Sequence, residues 1–184
     1  MYRGWEVTLR SFAEWIAGTG LSVLFRSTEW VVPALQSIHL AGVGVVLASL
    51  LMITLRILRQ THDQSLVATT RRFTPWLWGA LAVLFVTGLG LIVTEPEREL
   101  LSTSFWLKML LLVIGSGIVL AFQRSLYRHE RRWEEGLVRH GRVKAMAVGT
   151  FAVWCGILLM GRLIAFDTQF WGGLTQQVAS HAAN

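Results

Sequence analysis

Long apolar stretches, separated by short charged segments, dominate the pattern of this chain. Four of them reach the length of about 20 residues that a helix needs to cross the hydrocarbon core of a bilayer. They cover residues 30–58, 75–94, 105–123 and 145–166. The pattern predicts an all-α, polytopic membrane protein in which four transmembrane helices form a bundle.

The first 28 residues carry too many charges for a span and show a helical periodicity instead. Four apolar residues recur at this spacing: Trp5, Leu9, Phe12 and Ile16. Such a pattern is typical of an amphipathic helix that lies in the membrane interface. The predicted domains are an interfacial segment (1–28), the four-helix bundle (29–168) and a C-terminal tail (169–184).

Particular residues predict where the helices begin, break and end. Gly18, Thr19 and Gly20 predict a break inside the interfacial segment. Thr74 followed by Pro75 predicts the start of the second span, because a capping residue and a proline are favoured there. The basic run 124–142 predicts that the third helix continues beyond the bilayer. Glycines inside the spans predict close packing between helices.

Composition supports the membrane assignment and argues against a nucleic-acid-binding protein. Hydrophobic residues make up 53% of the chain and charged residues only 15%, against about 25% charged in soluble domains. The net charge of +6 does not indicate nucleic acid, because the cations cluster in loops between spans. The lipid bilayer is the expected partner. The single cysteine, Cys155, allows no disulfide within the chain.

The distribution of Lys and Arg predicts the orientation in the membrane. The end of the first span and the loop after it carry four arginines, and the third loop carries six arginines and one lysine. The second loop, with Glu95, Glu97, Arg98 and Glu99, is acidic on balance. Because short cytoplasmic loops are enriched in Lys and Arg, we expect both termini on the periplasmic side of the inner membrane.

Three basic side chains and one amide inside the spans are the candidate site residues. Lys108 and Arg162 each lie roughly 6 Å inside the predicted outer end of a span. His39 lies about 13 Å deep, and Gln36 shares its helix face. Ionisable residues inside a span mark functional sites by default. With Gln36 expected to be buried, the group suits a quinone headgroup, haem propionates or a small carboxylate.

A structural role for the same residues competes with the functional one. Lys108 and Arg162 are shallow enough for their side chains to reach the outer headgroups. Either cation could also pair with Glu95, Glu97 or Asp167. A lone histidine in a helix bundle is more often hydrogen-bonded to a neighbouring helix than bound to a ligand.

Three segments of the chain carry a family resemblance: WVVPALQSIHLAGVGVVLASLLMITLRIL, the FWLKMLL start of the third span, and the MGRLIAF end of the fourth. They look like a family of small four-span bacterial membrane proteins of unknown function. The resemblance rests on Pro33, Gln36, His39, Arg56, Lys108, Gly161 and Arg162. The helix with a histidine is also distantly similar to cytochrome b-type bundles and the copper-resistance CopD class. Membership implies an inner-membrane location and supplies no activity.

The favoured function is that of a subunit in a redox or respiratory-type system that binds quinone, or less readily haem b, near the periplasmic face. His39 would be an axial haem ligand or a hydrogen-bond donor to the quinone. Lys108 and Arg162 would neutralise propionates or a semiquinone. Met160 is a weak candidate for a second metal ligand. It is considered because His39 is the only histidine inside a predicted span.

Two other functions stay open. Copper or other small-ion transport would use His39, Cys155 and the methionines, which suit copper but are scattered along the chain. A non-catalytic accessory or assembly subunit would use the N-terminal helix and the basic third loop to dock membrane or periplasmic protein partners. No nucleophile with a base and no paired carboxylates lie within the spans. Enzyme activity therefore stays open, and a role that is not catalytic on its own is favoured.

Overall fold

The computed structural model describes residues 4–59, 65–135 and 141–163, which are helical apart from short connections and contain no strand. Four helices are long and apolar enough to cross a membrane: α3, α4, α6 and α8. The prediction of an all-α protein with four candidate spans is confirmed. In chain order the helices are α1 (Gly4–Ala17), α2 (Gly20–Ser27), α3 (Val31–Arg59), α4 (Leu66–Thr94), α5 (Pro96–Leu100), α6 (Thr103–Arg128), α7 (Glu130–Glu135) and α8 (Gly141–Leu163).

The break between α1 and α2 lies where the sequence predicts it. The hydroxyl of Thr19 donates to the Ile16 carbonyl oxygen at 2.6 Å and accepts from the Ser22 N–H at 3.4 Å. One side chain therefore ends the first helix and caps the second. The interfacial segment is two helices joined at this residue.

Helix α1 presents one face to the protein and another outward. Ala13 is fully buried against Leu100 and Phe105. Phe12 and Trp15 are exposed, and their rings stack with centroids 6.0 Å apart. An outward aromatic face is what a helix in the membrane interface needs. The helix predicted to be amphipathic thus packs one side against the rest of the first unit.

Helix α4 begins before the predicted start, and Pro75 lies inside it. The Ser65 hydroxyl accepts the Ala68 N–H at 3.1 Å and so caps the helix. The proline removes one backbone donor, but membrane helices tolerate this where neighbouring groups are satisfied in other ways. The Thr74 hydroxyl donates to the Thr70 carbonyl oxygen at 2.7 Å. The predicted start was wrong because the effective cap lies upstream.

The third long helix extends past the apolar segment, as predicted, but not without interruption through 142. His129 separates α6 from α7. Trp133 on α7 is buried, with its ring edge-on to Phe122 at 5.3 Å. Its indole N–H donates to the Ser125 hydroxyl at 3.2 Å. Burial of this indole against α6 accounts for the turn in the chain.

The structure falls into two compact units. The second unit comprises His39–Phe85 and Leu111–Ile157. All four long helices meet in one of its apolar clusters, formed by Val46, Leu50, Leu77, Ala80, Val119 and Trp154. A Cβ added to Gly115 would lie 3.1 Å from Trp154 Nε1, so this glycine permits the close approach. The predicted close packing at glycines is confirmed here.

The first unit takes in the described residues 4–38, 86–110 and 158–163. Its buried cluster joins α1, α5 and α6 and consists of Ala13, Leu100 and Phe105, with Ile16, Ile92 and Met109 packed around it. A Cβ on Gly90 would lie 3.1 Å from Leu35 Cδ1, so α3 and α4 also meet closely. The predicted tail, residues 169–184, lies outside the described part of the chain.

Candidate functional site

Helix α6 places Lys108 in its second turn. The Ser102 hydroxyl accepts the Phe105 N–H at 3.2 Å, which fixes the start of the helix. Lys108 therefore lies about 8 Å along the helix from its first residue. Its side chain is 21% exposed. The cation therefore lies near one end of a candidate span.

A carboxylate and an aromatic ring stand beside the Lys108 ammonium group. Lys108 Nζ lies 3.9 Å from Glu99 Oε2 and 5.0 Å from the centre of the Phe105 ring. An N–H···O hydrogen bond spans about 2.7–3.2 Å. The two charged groups therefore attract each other without a direct hydrogen bond. We call Lys108, Glu99 and Phe105 the lysine cluster.

The short helix α5 determines which glutamate reaches Lys108. Arg98 Nη1 contacts Glu95 Oε2 at 2.6 Å, so that carboxylate is already paired. The indole N–H of Trp106 donates to the Leu100 carbonyl oxygen at 2.9 Å and holds the end of α5 beside α6. Glu99 then faces Lys108. Lys108 thus pairs with Glu99, whereas the sequence offered Glu95, Glu97 or Asp167 as alternative partners. Asp167 lies outside the described residues.

Burial gives the Glu99 carboxyl an unusual affinity for protons. Its side chain is 18% exposed, and burial raises its pKa above the ordinary value of 4.5. The positive charges of Lys108 and Arg98 oppose this rise without cancelling it. Glu99 therefore changes between hydrogen-bond donor and acceptor at a higher pH than an exposed glutamate does.

Helix α8 also reaches the lysine cluster. A Cβ added to Gly161 would lie 3.8 Å from Lys108 Cδ. The turn that carries Arg162 is thus adjacent to Lys108 in the first unit, and Arg162 itself is exposed. Met160, the weak candidate for a metal ligand, is partly buried.

Gln36 and His39 lie on α3 but fall in different units. Gln36 is exposed, whereas the sequence predicts a buried amide. The neighbouring residue Leu35 is the one that packs against Gly90, and successive helical residues point about 100° apart. His39 is partly buried. Their roles as ligand residues stay predictions.

Sequence reasoning missed a neutral polar network in the second unit. The Trp78 indole N–H donates to Gln123 Oε1 at 3.0 Å, and Gln123 Nε2 donates to Thr74 Oγ1 at 3.2 Å. The hydroxyls of Thr74 and Tyr127 lie 3.1 Å apart. Gln123 is only 5% exposed. The sequence contains a pattern that could have indicated this network. Thr74 and Trp78 are four residues apart and share a helix face, and so are Gln123 and Tyr127. We call these four residues the glutamine network.

Within the described residues, no group of three or more His, Cys, Asp or Glu side chains could hold a metal ion. Cys155 is a free, partly buried thiol. The copper alternative therefore gains no support from the described ranges.

The fold and the lysine cluster define a class: an all-helical protein with four candidate membrane spans and a partly buried lysine–glutamate pair at one end of them. Within this class, the chain belongs to DUF6644, a family of unknown function that matches residues 12–167. The resemblance to a family of unknown function is confirmed. No protein of curated function and no solved structure matches the chain. The likeness to cytochrome b-type and CopD-type bundles stays a prediction.

Proposed function

We propose that this protein is an inner-membrane subunit of a redox or respiratory-type system and that its lysine cluster binds a quinone headgroup. The observation that carries the proposal is the distance of 3.9 Å between Lys108 Nζ and Glu99 Oε2, two largely buried groups. A charge pair that attracts without hydrogen bonding leaves both partners able to bind a small polar ligand. Ionisable groups are seldom kept inside a span without such a use.

The chemistry of the three side chains fits a quinone ring. The Lys108 ammonium group can donate to a quinone carbonyl oxygen. The Glu99 carboxyl can donate when protonated and can accept a proton when ionised. The Phe105 ring offers an apolar face to the planar headgroup. A quinone would supply the electron-carrying chemistry, and the protein would supply the binding site and a proton acceptor.

Two neighbouring residues support the same assignment. Gly161 carries no side chain beside the Lys108 stem, which keeps α8 close to the cluster without filling its surroundings. Arg162 follows Gly161 and is proposed as a second cation for the headgroup. A quinone reaches such a site from the bilayer, so a shallow position near the span ends is suitable for the headgroup.

The proposal includes the orientation that the charge distribution predicts. The segment that carries Glu95 and Glu99 is acidic on balance, whereas the loops on either side of it in sequence are basic. By the positive-inside rule, the lysine cluster belongs to the periplasmic end of the spans. The exposed ring of Trp106, in the first turn of α6, fits an interfacial position there.

The quinone retained by the purified protein tests the proposal. We compare wild type, Lys108→Gln and the control Arg142→Gln in mild detergent, and measure extracted quinone per protein chain. Lys108→Gln should lower quinone content roughly tenfold, the effect of losing one charge-assisted hydrogen bond. Arg142→Gln should leave it unchanged, because Arg142 is an exposed cation of the second unit and is not part of the lysine cluster. Equal quinone in wild type and Lys108→Gln would overturn the proposal.

The wild-type sample, together with a further variant, His39→Ala, separates the proposal from its alternatives. Haem bands in a reduced-minus-oxidised visible spectrum that disappear in His39→Ala would favour the haem b version. Stoichiometric copper in a metal analysis would favour the transport version. A protein with neither quinone, haem nor copper would favour the accessory-subunit version.

A further inference from the structure

A basic pocket opens at the N-terminal end of α4, beside α7. It has a volume of about 310 Å³ and lies wholly within the second unit. Its lining residues are Ser65, Val67, Ala68, Arg71, Glu130 and Arg131. No residue of the lysine cluster lines it, so its role is separate from the quinone proposal.

The pocket lies at the depth of lipid headgroups. Arg71 precedes Pro75, where the apolar segment begins, by one turn of helix, or about 6 Å. The headgroup layer on each side of a bilayer has a thickness of roughly 5–8 Å. Trp76 is 65% exposed and Tyr127 is 36% exposed, both in this unit, as is typical of aromatic residues at the membrane–water interface.

A carboxylate positions one of the two arginines in the pocket. Arg71 Nη2 contacts Glu130 Oε1 at 2.9 Å, and Arg71 Cζ lies 5.9 Å from the centre of the Tyr127 ring. A guanidinium group carries about five N–H donors, so this contact leaves donors for a further anion. Arg131 adds a second cation to the lining. Among the described lining residues, two cations stand against one carboxylate, so this part of the lining is positive.

The backbone increases the positive potential of the pocket. The first turn of the long helix α4 forms part of the lining, and the N-terminal end of a helix favours anions. The exposed cations Arg72 and Arg128 lie close in sequence to the lining residues. The first-turn backbone and the arginine side chains therefore favour the same kind of ligand.

We propose that this pocket binds the phosphate group of an anionic phospholipid. Arginine forks match phosphate oxygens in bidentate geometry, and basic pockets between membrane helices bind anionic headgroups. The ligand is a lipid because the pocket lies where lipid phosphates are concentrated. A bound lipid at this position bridges the start of α4 and α7.

Native mass spectrometry of the detergent-purified protein, with phosphatidylglycerol added, tests this assignment. The pocket variants are Arg71→Gln and Arg131→Gln. The control is Arg142→Gln, an exposed cation at the start of α8 that does not line the pocket. Each pocket variant should lower retained phosphatidylglycerol roughly fivefold, and the control should change it less than about twofold. Equal losses in all three variants would show diffuse attraction and overturn the proposal.

Glu130→Gln provides a test that misfolding cannot imitate. It removes the carboxylate found among the described lining residues, so retained phosphatidylglycerol should rise roughly fivefold. Unchanged or lower retention would contradict the proposal. Inorganic phosphate distinguishes the two sources of the phosphate group. Displacement of the lipid by phosphate at equal concentration would identify a free-anion site and overturn the lipid assignment, whereas retention of the lipid would support it.

Discussion

The lysine cluster and the glutamine network place polar groups among apolar helices in two different ways. In the first unit, Lys108 and Glu99 are ionisable groups that stand 3.9 Å apart without a hydrogen bond. In the second unit, Gln123 is neutral and is joined to Trp78 and Thr74 at 3.0 and 3.2 Å. The charged groups of the lysine–glutamate pair can still form hydrogen bonds with a ligand. The amide of Gln123 already forms its hydrogen bonds within the protein.

This difference separates a binding role from a structural one. A buried amide whose partners are present holds helices in register and gains little from a ligand. A buried charge pair adds little to stability, because removing two charges from water costs about as much as their attraction returns. Stability therefore does not account for the lysine cluster, and the proposed binding of a quinone headgroup would account for it. The predictions below should separate the two roles.

Replacing both charged partners of the lysine cluster should have the largest effect. In Lys108→Met with Glu99→Leu, retained quinone should fall roughly a hundredfold, because both hydrogen-bonding groups proposed for the headgroup are removed. The thermal unfolding midpoint should stay the same or rise, since neutral replacement of a buried pair is often neutral or stabilising. Extracted quinone and the unfolding midpoint measure the two effects. A lower midpoint with normal quinone content would reverse the assigned roles.

Gln123→Leu should produce the opposite result. The Trp78 indole N–H and the Thr74 hydroxyl each lose a partner in an apolar interior, which costs about 1–3 kcal/mol of stability. Quinone content should match wild type. Denaturant titration in detergent gives the free energy of unfolding, and extraction gives the quinone. Loss of quinone at unchanged stability would show that the network, not the lysine cluster, binds the ligand.

Two glycine variants compare the packing of the two regions. In Gly115→Ala, the new Cβ would lie 3.1 Å from the rigid Trp154 ring, so we expect a loss of about 1–3 kcal/mol. In Gly161→Ala, the nearest atom is Lys108 Cδ at 3.8 Å, an ordinary contact, and stability should change by less than about 0.5 kcal/mol. Equal losses in the free energy of unfolding would refute this difference in packing.

Glu99 should make a small pH-dependent contribution to stability. Burial raises its pKa in the folded protein above the ordinary value of 4.5, so the folded protein holds this proton more tightly than the unfolded chain. The contribution is full below pH 4.5 and is lost as pH rises through the raised pKa. The unfolding midpoint of wild type should therefore fall over that interval relative to Glu99→Gln. Parallel pH profiles for the two proteins would contradict the raised pKa.

The four long helices could be predicted from sequence because apolar length alone identifies a span. The residues at which these helices begin and end were harder to predict. Thr74 and Pro75 resemble a helix start, but Ser65 provides the cap upstream. The break at His129 depends on Trp133 packing against α6, a tertiary contact that no local pattern reveals.

The candidate site was predicted only in part. Lys108 stands out because a charge in a span is costly. Its partner Glu99 does not, since three glutamates lie in the same loop and the geometry of α5 selects among them. Gln123 lies at the end of an apolar segment, where a polar side chain is common and does not indicate a buried network. Its role depends on which side chains of α4 face it.

The location of the quinone tests the central claim most directly. A photoreactive quinone analogue would be cross-linked to the wild-type protein in lipid nanodiscs, and the labelled peptides would be identified by mass spectrometry. We expect the label between Glu99 and Lys108, and excess natural quinone should remove it. A competed label around Thr74 or Gln123, with none on the lysine cluster, would contradict the claim.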